Sequence, residues 1–101
     1  MATTTKVLFR GAATTTVGTT LYTVPASTTT IITNIAVTNT ASSAGTFTIG
    51  ISGTALHTTA SLAANSTAYI DLKQVLATTN VITGGASATT INFHISGVEI
   101  V

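Results

Sequence analysis

Charge is nearly missing from this chain. Of 101 residues, only Lys6, Arg10, Asp71, Lys73 and Glu99 carry a charged side chain, 5% of the total, where soluble domains carry about a quarter. The formal net charge is +1. So few cations cannot neutralise the several phosphates on which nucleic-acid affinity rests, and they cannot hold an anionic membrane surface. Cysteine is absent, which excludes disulfides and thiolate metal sites while fitting any redox compartment. Tryptophan is also absent and proline occurs once. No apolar run approaches the roughly 20 residues of a membrane-spanning helix. Residues 1–6 lack the basic start and apolar core of a secretory signal, so synthesis in a cytosol is expected.

What fills the chain is threonine with β-branched and other apolar residues. The hydrophobic class is 45% of the chain. Thr, Ile and Val are restricted in helices and pack well on a pleated surface. The strong helix formers Glu, Lys, Gln and Met are scarce. Low complexity alone would suggest disorder, but the regular return of Ile, Val, Leu and Phe supplies the core that disordered chains lack. A neutral, hydroxyl-rich chain of this kind can cover itself with copies or a scaffold, and its threonines can hydrogen-bond between strands.

Period-two alternation places the strands. Lys6–Arg10 reads as a short first strand or an extended arm. Residues 20–24 form a second strand, ended by Pro25, which lacks a ladder donor. Residues 30–38 give the clearest strand, with Ile31, Ile35 and Val37 assigned to the inner face. Phe47, Ile49 and Ile51 alternate with polar residues, and Gly53 begins a tight turn. Residues 62–66 read as a connection. Ile70 and Leu72 oppose Tyr69 and Asp71 on the next strand, and Lys73–Leu76 suggests a single helical turn. Val81–Thr83 is short and ends at Gly84. Ile91, Phe93 and Ile95 form the inner row of the last strand. The phase breaks beyond Gly97, and a bulge there would keep the buried set inward.

About seven or eight short strands with turns every 8–12 residues predict an all-β fold, a small antiparallel β-sandwich of Greek-key or jelly-roll-like form. The chain divides into residues 1–20, an N-terminal arm or edge strand, and residues 21–101, the β-sandwich domain.

Chemistry-bearing residues are few. His57 and His94 could be drawn with Asp71 and a hydroxyl as a triad. No nucleophile elbow, phosphate-binding glycine loop or His-Glu metal motif accompanies them. We therefore expect a non-enzymatic part with no cofactor and no metal. His94 falls on the polar row of the last strand and reads as an exposed or interface histidine. Lys6 and Arg10 flank Val7, Leu8 and Phe9, a segment that fits either a solvated edge strand or a grip on a neighbouring protein. Tyr22 and Tyr69 join an apolar ring to a hydroxyl, which suits a core rim or a contact surface.

The phrases Leu21-Tyr22-Thr23-Val24-Pro25-Ala26 and Thr30-Ile31-Ile32-Thr33-Asn34-Ile35-Ala36-Val37-Thr38-Asn39-Thr40 resemble a pattern in small virion proteins of tailed bacteriophages. The likeness continues through Leu62-Ala63-Ala64-Asn65-Ser66-Thr67 and Ile70-Asp71-Leu72, and closes on Ile95-Ser96-Gly97-Val98-Glu99-Ile100. It spans Leu21 to Val101 and is similar to capsid decoration, or cement, proteins. That resemblance implies a β-sandwich, often a homotrimer, bound to the major capsid protein on the outer surface of the virion at capsomer junctions. Residues 1–20 lie outside the likeness and suit an arm that grips the capsid or a neighbouring protomer, so Lys6, Val7, Leu8, Phe9, Arg10 and His94 are the residues expected at capsid or inter-subunit contacts. The alternative is a tail or head-fibre module contributing to host attachment.

Overall fold

The computed structural model describes residues 2–101, and its eight strands form two four-stranded antiparallel sheets. In chain order they are β1 (Thr3–Ala12), β2 (Thr20–Thr23), β3 (Thr29–Asn39), β4 (Gly45–Ile51), β5 (Thr54–Leu62), β6 (Thr67–Leu76), β7 (Val81–Ala86) and β8 (Ile91–Ile100). The first sheet has the order β1-β8-β3-β6 and the second β2-β7-β4-β5. The expected all-β sandwich is therefore present.

The pairing is nested. β4 pairs with β5, β3 with β6, β2 with β7 and β1 with β8. The chain is one long hairpin rolled on itself, and the β8–β3 and β7–β4 ladders close the roll. This is jelly-roll topology. The tip of the hairpin is the Ser52–Gly53 turn, where both residues have positive φ (48° and 83°). Two-residue turns of that hand match the twist of the flanking strands, and glycine takes the left-handed conformation without strain. At the open end, Ala2 and Val101 exchange both backbone hydrogen bonds at 2.9 Å.

The core lies between the sheets. Ile32, Ile35 and Val37 of β3 meet Ile91, Phe93 and Ile95 of β8, and Phe47, Ile49 and Ile82 close it from the second sheet. The Phe47 and Phe93 rings meet edge-on with centroids 6.4 Å apart.

Four expectations need correction. Ile32, not Ile31, is the inward residue at the start of β3. A register shift between Ile32 and Asn34 inserts Thr33 and flips the phase, so Ile31 faces outward. The bulge expected at Gly97 is carried by the neighbours of β8. β8 itself keeps its alternation through Gly97, while Leu8 is the extra residue in β1 and Thr33 the extra residue in β3. Gly97 sits at the level of both, which is why the sequence shows a break there. Lys73–Leu76 is no helical turn but the end of β6. β5, read only as a turn and a connection, is a nine-residue strand.

Candidate interaction face

All five charged side chains lie on strands of the first sheet: Lys6 and Arg10 on β1, Asp71 and Lys73 on β6, Glu99 on β8. The second sheet and every connection between strands carry none. Charge is thus sorted by sheet, and within the first sheet it is sorted again by face.

The inner face holds a polar clasp at the end of the sandwich near the chain termini. Gly97 pairs with Lys6 and Ile32, and Glu99 with Thr4 and Thr30, so the inner row of β8 carries Glu99 toward the second sheet. There the Tyr22 hydroxyl donates to Glu99 Oε2 and lies 2.8 Å from Thr30 Oγ1. Lys6 Nζ reaches both Glu99 oxygens at 3.3 and 3.4 Å. The Glu99 side chain is only 13% exposed. Because Tyr22 belongs to β2, the clasp joins the two sheets. At the opposite end Asn39 plays the matching part. Its Nδ2 donates to Ser43 O at 2.9 Å and its Oδ1 accepts from the Ala41 amide at 3.0 Å. A weaker bond from Nδ2 to Leu62 O, at 3.4 Å, reaches the end of β5.

The hydrogen bond from Tyr22 holds the Glu99 carboxyl below the usual carboxylate range, and Lys6 adds to the effect against the opposing influence of burial. Burial first, and then the bond to Glu99, pushes the Tyr22 phenol above its usual range. The folded state therefore favours a charged Glu99 and a neutral Tyr22. The Glu99 contribution to stability is present above the unfolded carboxylate value, about 4.3, and is lost as pH falls through the lower folded value. The Tyr22 contribution is present below about pH 10 and is lost as pH rises through the raised folded value. Tyr22→Phe should cost about 1–3 kcal/mol at neutral pH, because Glu99 and Thr30 lose a partner. It should also flatten the acid and alkaline ends of the stability profile. Thermal melts of both proteins across pH check this, and superimposable profiles would show that the clasp contributes nothing.

The outer face of the first sheet is laid out in rungs. Thr5, Val98, Ile31 and Val75 form one, Val7, Ser96, Asn34 and Asp71 the next, and Arg10, His94, Ala36 and Tyr69 the third. A shallow groove lined by Thr5, Val7, Thr33, Ser96 and Val98 runs across the bulges. The segment Lys6–Arg10 is divided by its own bulge. Leu8, 7% exposed, is in the core and Phe9 packs against it. Val7, 45% exposed, and Arg10 are left on the outer face. Arg10 and His94 are direct cross-strand partners. Of the six residues read as contact candidates, Val7, Arg10 and His94 thus share a surface, while Leu8 and Phe9 anchor β1 and Lys6 belongs to the clasp.

His57 lies on β5 of the second sheet, its ring 5.9 Å from that of Phe47. The two histidines therefore belong to different sheets. Among the described residues no three His, Asp or Glu side chains cluster as metal ligands. The Tyr22–Glu99 contact has no local signal in the sequence, because its partners are 77 residues apart. The chain matches no family model, no curated protein and no solved structure.

Proposed function

We propose that this domain is a structural component of a tailed-bacteriophage virion that binds the outside of the capsid shell and reinforces it at capsomer junctions. The observation that carries the reading is the outer face of the first sheet. It brings together Val7, Ile31 and Val98 with Arg10, His94, Asp71 and Tyr69, while the second sheet presents neutral hydroxyls. An apolar band edged by charge suits a contact surface. A skin of threonine lets many copies crowd on a lattice without mutual repulsion. The jelly roll, which recurs in viral capsid and lectin domains, agrees with the reading as fold-level analogy only. The likeness of the Leu21–Val101 segment to decoration proteins points the same way.

Mechanically, each copy adds buried area across a seam between capsid subunits, and repetition over the shell multiplies weak contacts. The test is to add the purified protein to capsids that lack it and image them by cryo-electron microscopy. Regular density at capsomer junctions is expected, with the first sheet facing the shell. Bare heads at saturating protein, with binding to tails or host cells, would overturn the reading in favour of an attachment module. Deleting residues 1–10 is a poor probe, since it removes the β1 partner of β8 and Leu8 from the core. Arg10→Glu combined with Val7→Lys alters the outer face alone, and occupancy should fall by about tenfold if that face makes the contact.

A further inference from the structure

Each sheet has two edges, and an unpaired edge is a template for another strand unless something blocks it. Three of the four edges are blocked. β2 is four residues long, and Pro25 follows it two positions beyond Thr23. β5 is broken by two register shifts and by Thr59 at φ 48°. β1 is bulged at Leu8, and antiparallel pairing with itself about that point would set Lys6 against the partner subunit's Arg10.

β6 is different. It is ten residues long, contains no Gly or Pro, and its exposure alternates without interruption from Thr67 to Val75. The two residues it places opposite Thr33 form a bulge toward β3, yet the outward row Tyr69, Asp71, Lys73, Val75 runs through it. Tyr69 and Val75 are the most exposed large apolar residues described, at 74% and 68%. Among the described residues the one ion pair joins Lys6 to Glu99, and Asp71 and Lys73 have no side-chain partner.

Turned about Leu72, this row is its own complement. Tyr69 comes opposite Val75 of the partner subunit, and Asp71 opposite Lys73 of the partner subunit. A two-fold axis requires that self-complementary order, because position i must suit position j and the reverse. Cross-strand pairs of opposite charge and of apolar side chains are the favourable units of an antiparallel ladder. We propose that β6 pairs antiparallel with β6 of a second copy of this chain across a two-fold axis beside Leu72, joining two first sheets into one sheet of eight strands.

The proposal does not depend on capsid binding and departs from the three-fold assembly that the family resemblance implies. The test is the mass of the full chain in solution by sedimentation equilibrium, with folding of each variant checked by circular dichroism. The wild-type protein should be a dimer. Asp71→Lys and Lys73→Asp should each weaken dimerisation by about tenfold or more, since symmetry doubles every like-charge contact. Should either reversal impair folding, Asp71→Asn and Lys73→Gln give the same readout with smaller shifts. The double variant Asp71→Lys with Lys73→Asp should restore the dimer, because each altered chain again meets its complement. A monomeric or trimeric wild-type protein would overturn the proposal. So would single variants that dimerise normally, or a double variant no tighter than the singles, the result expected if β6 met another strand such as β1.

Discussion

Phe93→Ala should lower the stability of this domain by about 3–5 kcal/mol, the range for emptying a fully buried aromatic position. Phe93 is completely buried on β8, one of the two interior strands of the first sheet. Its ring meets Phe47 across the sandwich, so truncation removes contact on both sheets at once. A domain of this size holds only about 5–15 kcal/mol in total. The melting temperature should therefore drop by more than about 10 °C. Phe93→Leu keeps part of the apolar volume and should recover much of the loss. Scanning calorimetry of both variants measures the effect. A drop of a few degrees for Phe93→Ala would mean that the sheets can close over the gap, and that the sandwich is more pliable than its fully buried rows indicate.

The second large effect is expected at Gly97. A Cβ there would lie inside van der Waals contact with the Ile31 carbonyl oxygen and 2.8 Å from Leu8 Cδ1. The Leu8 tip can turn aside. The Ile31 carbonyl belongs to the backbone of β3, and it can yield only if the bulge at Thr33 moves. Gly97→Ala should cost roughly 3 kcal/mol, at the upper end for forced overpacking. Gly18→Ala is the control. Nothing lies within 4 Å of a Cβ there, and the substitution should be neutral or stabilising by about 0.4–1 kcal/mol. Urea unfolding of both variants gives the comparison. Equal midpoints would show that the bulge row slides freely and that glycine is not required.

The same row of bulges explains what could be read from the sequence and what could not. Ile91, Phe93 and Ile95 were legible as a buried row because β8 has no inserted residue on the inner face. Ile31 was placed wrongly because a strand's period cannot reveal an extra residue at Thr33 when Ile31 and Ile32 are both apolar. β5 escaped notice for a related reason. Leu56 and His57 are adjacent, Thr58 and Thr59 interrupt them, and two register shifts remove any period-two signal. Lys73–Leu76 looked helical only by composition, and the tertiary ladder with β3 decides it. Of the candidate surface, Arg10 and His94 could be named individually, but their adjacency required the β1–β8 register. The Tyr22–Glu99 clasp had no sequence signature, since it depends on the roll that lays β2 over the end of β8. The self-complementary row of β6 was present in plain letters, yet it acquires meaning only once β6 is known to be an edge.

The nested order of the strands also bears on how the chain comes to be folded. A ribosome delivers the strands from one end, whereas the roll is closed by its two extremities. When the Ser52–Gly53 tip emerges, β4 can find β5, and β6 can later find β3. β1 has no partner in the first sheet until β8 appears, and β8 is the eighth of these strands in chain order. A nascent chain of 90 residues would hold β1 and β3 as two separated edges with the seat between them empty. At synthesis rates of about 5–20 residues per second, those edges wait only seconds. Pairings between distant strands are slow to form, and the second sheet has all four of its strands before the first sheet receives β8.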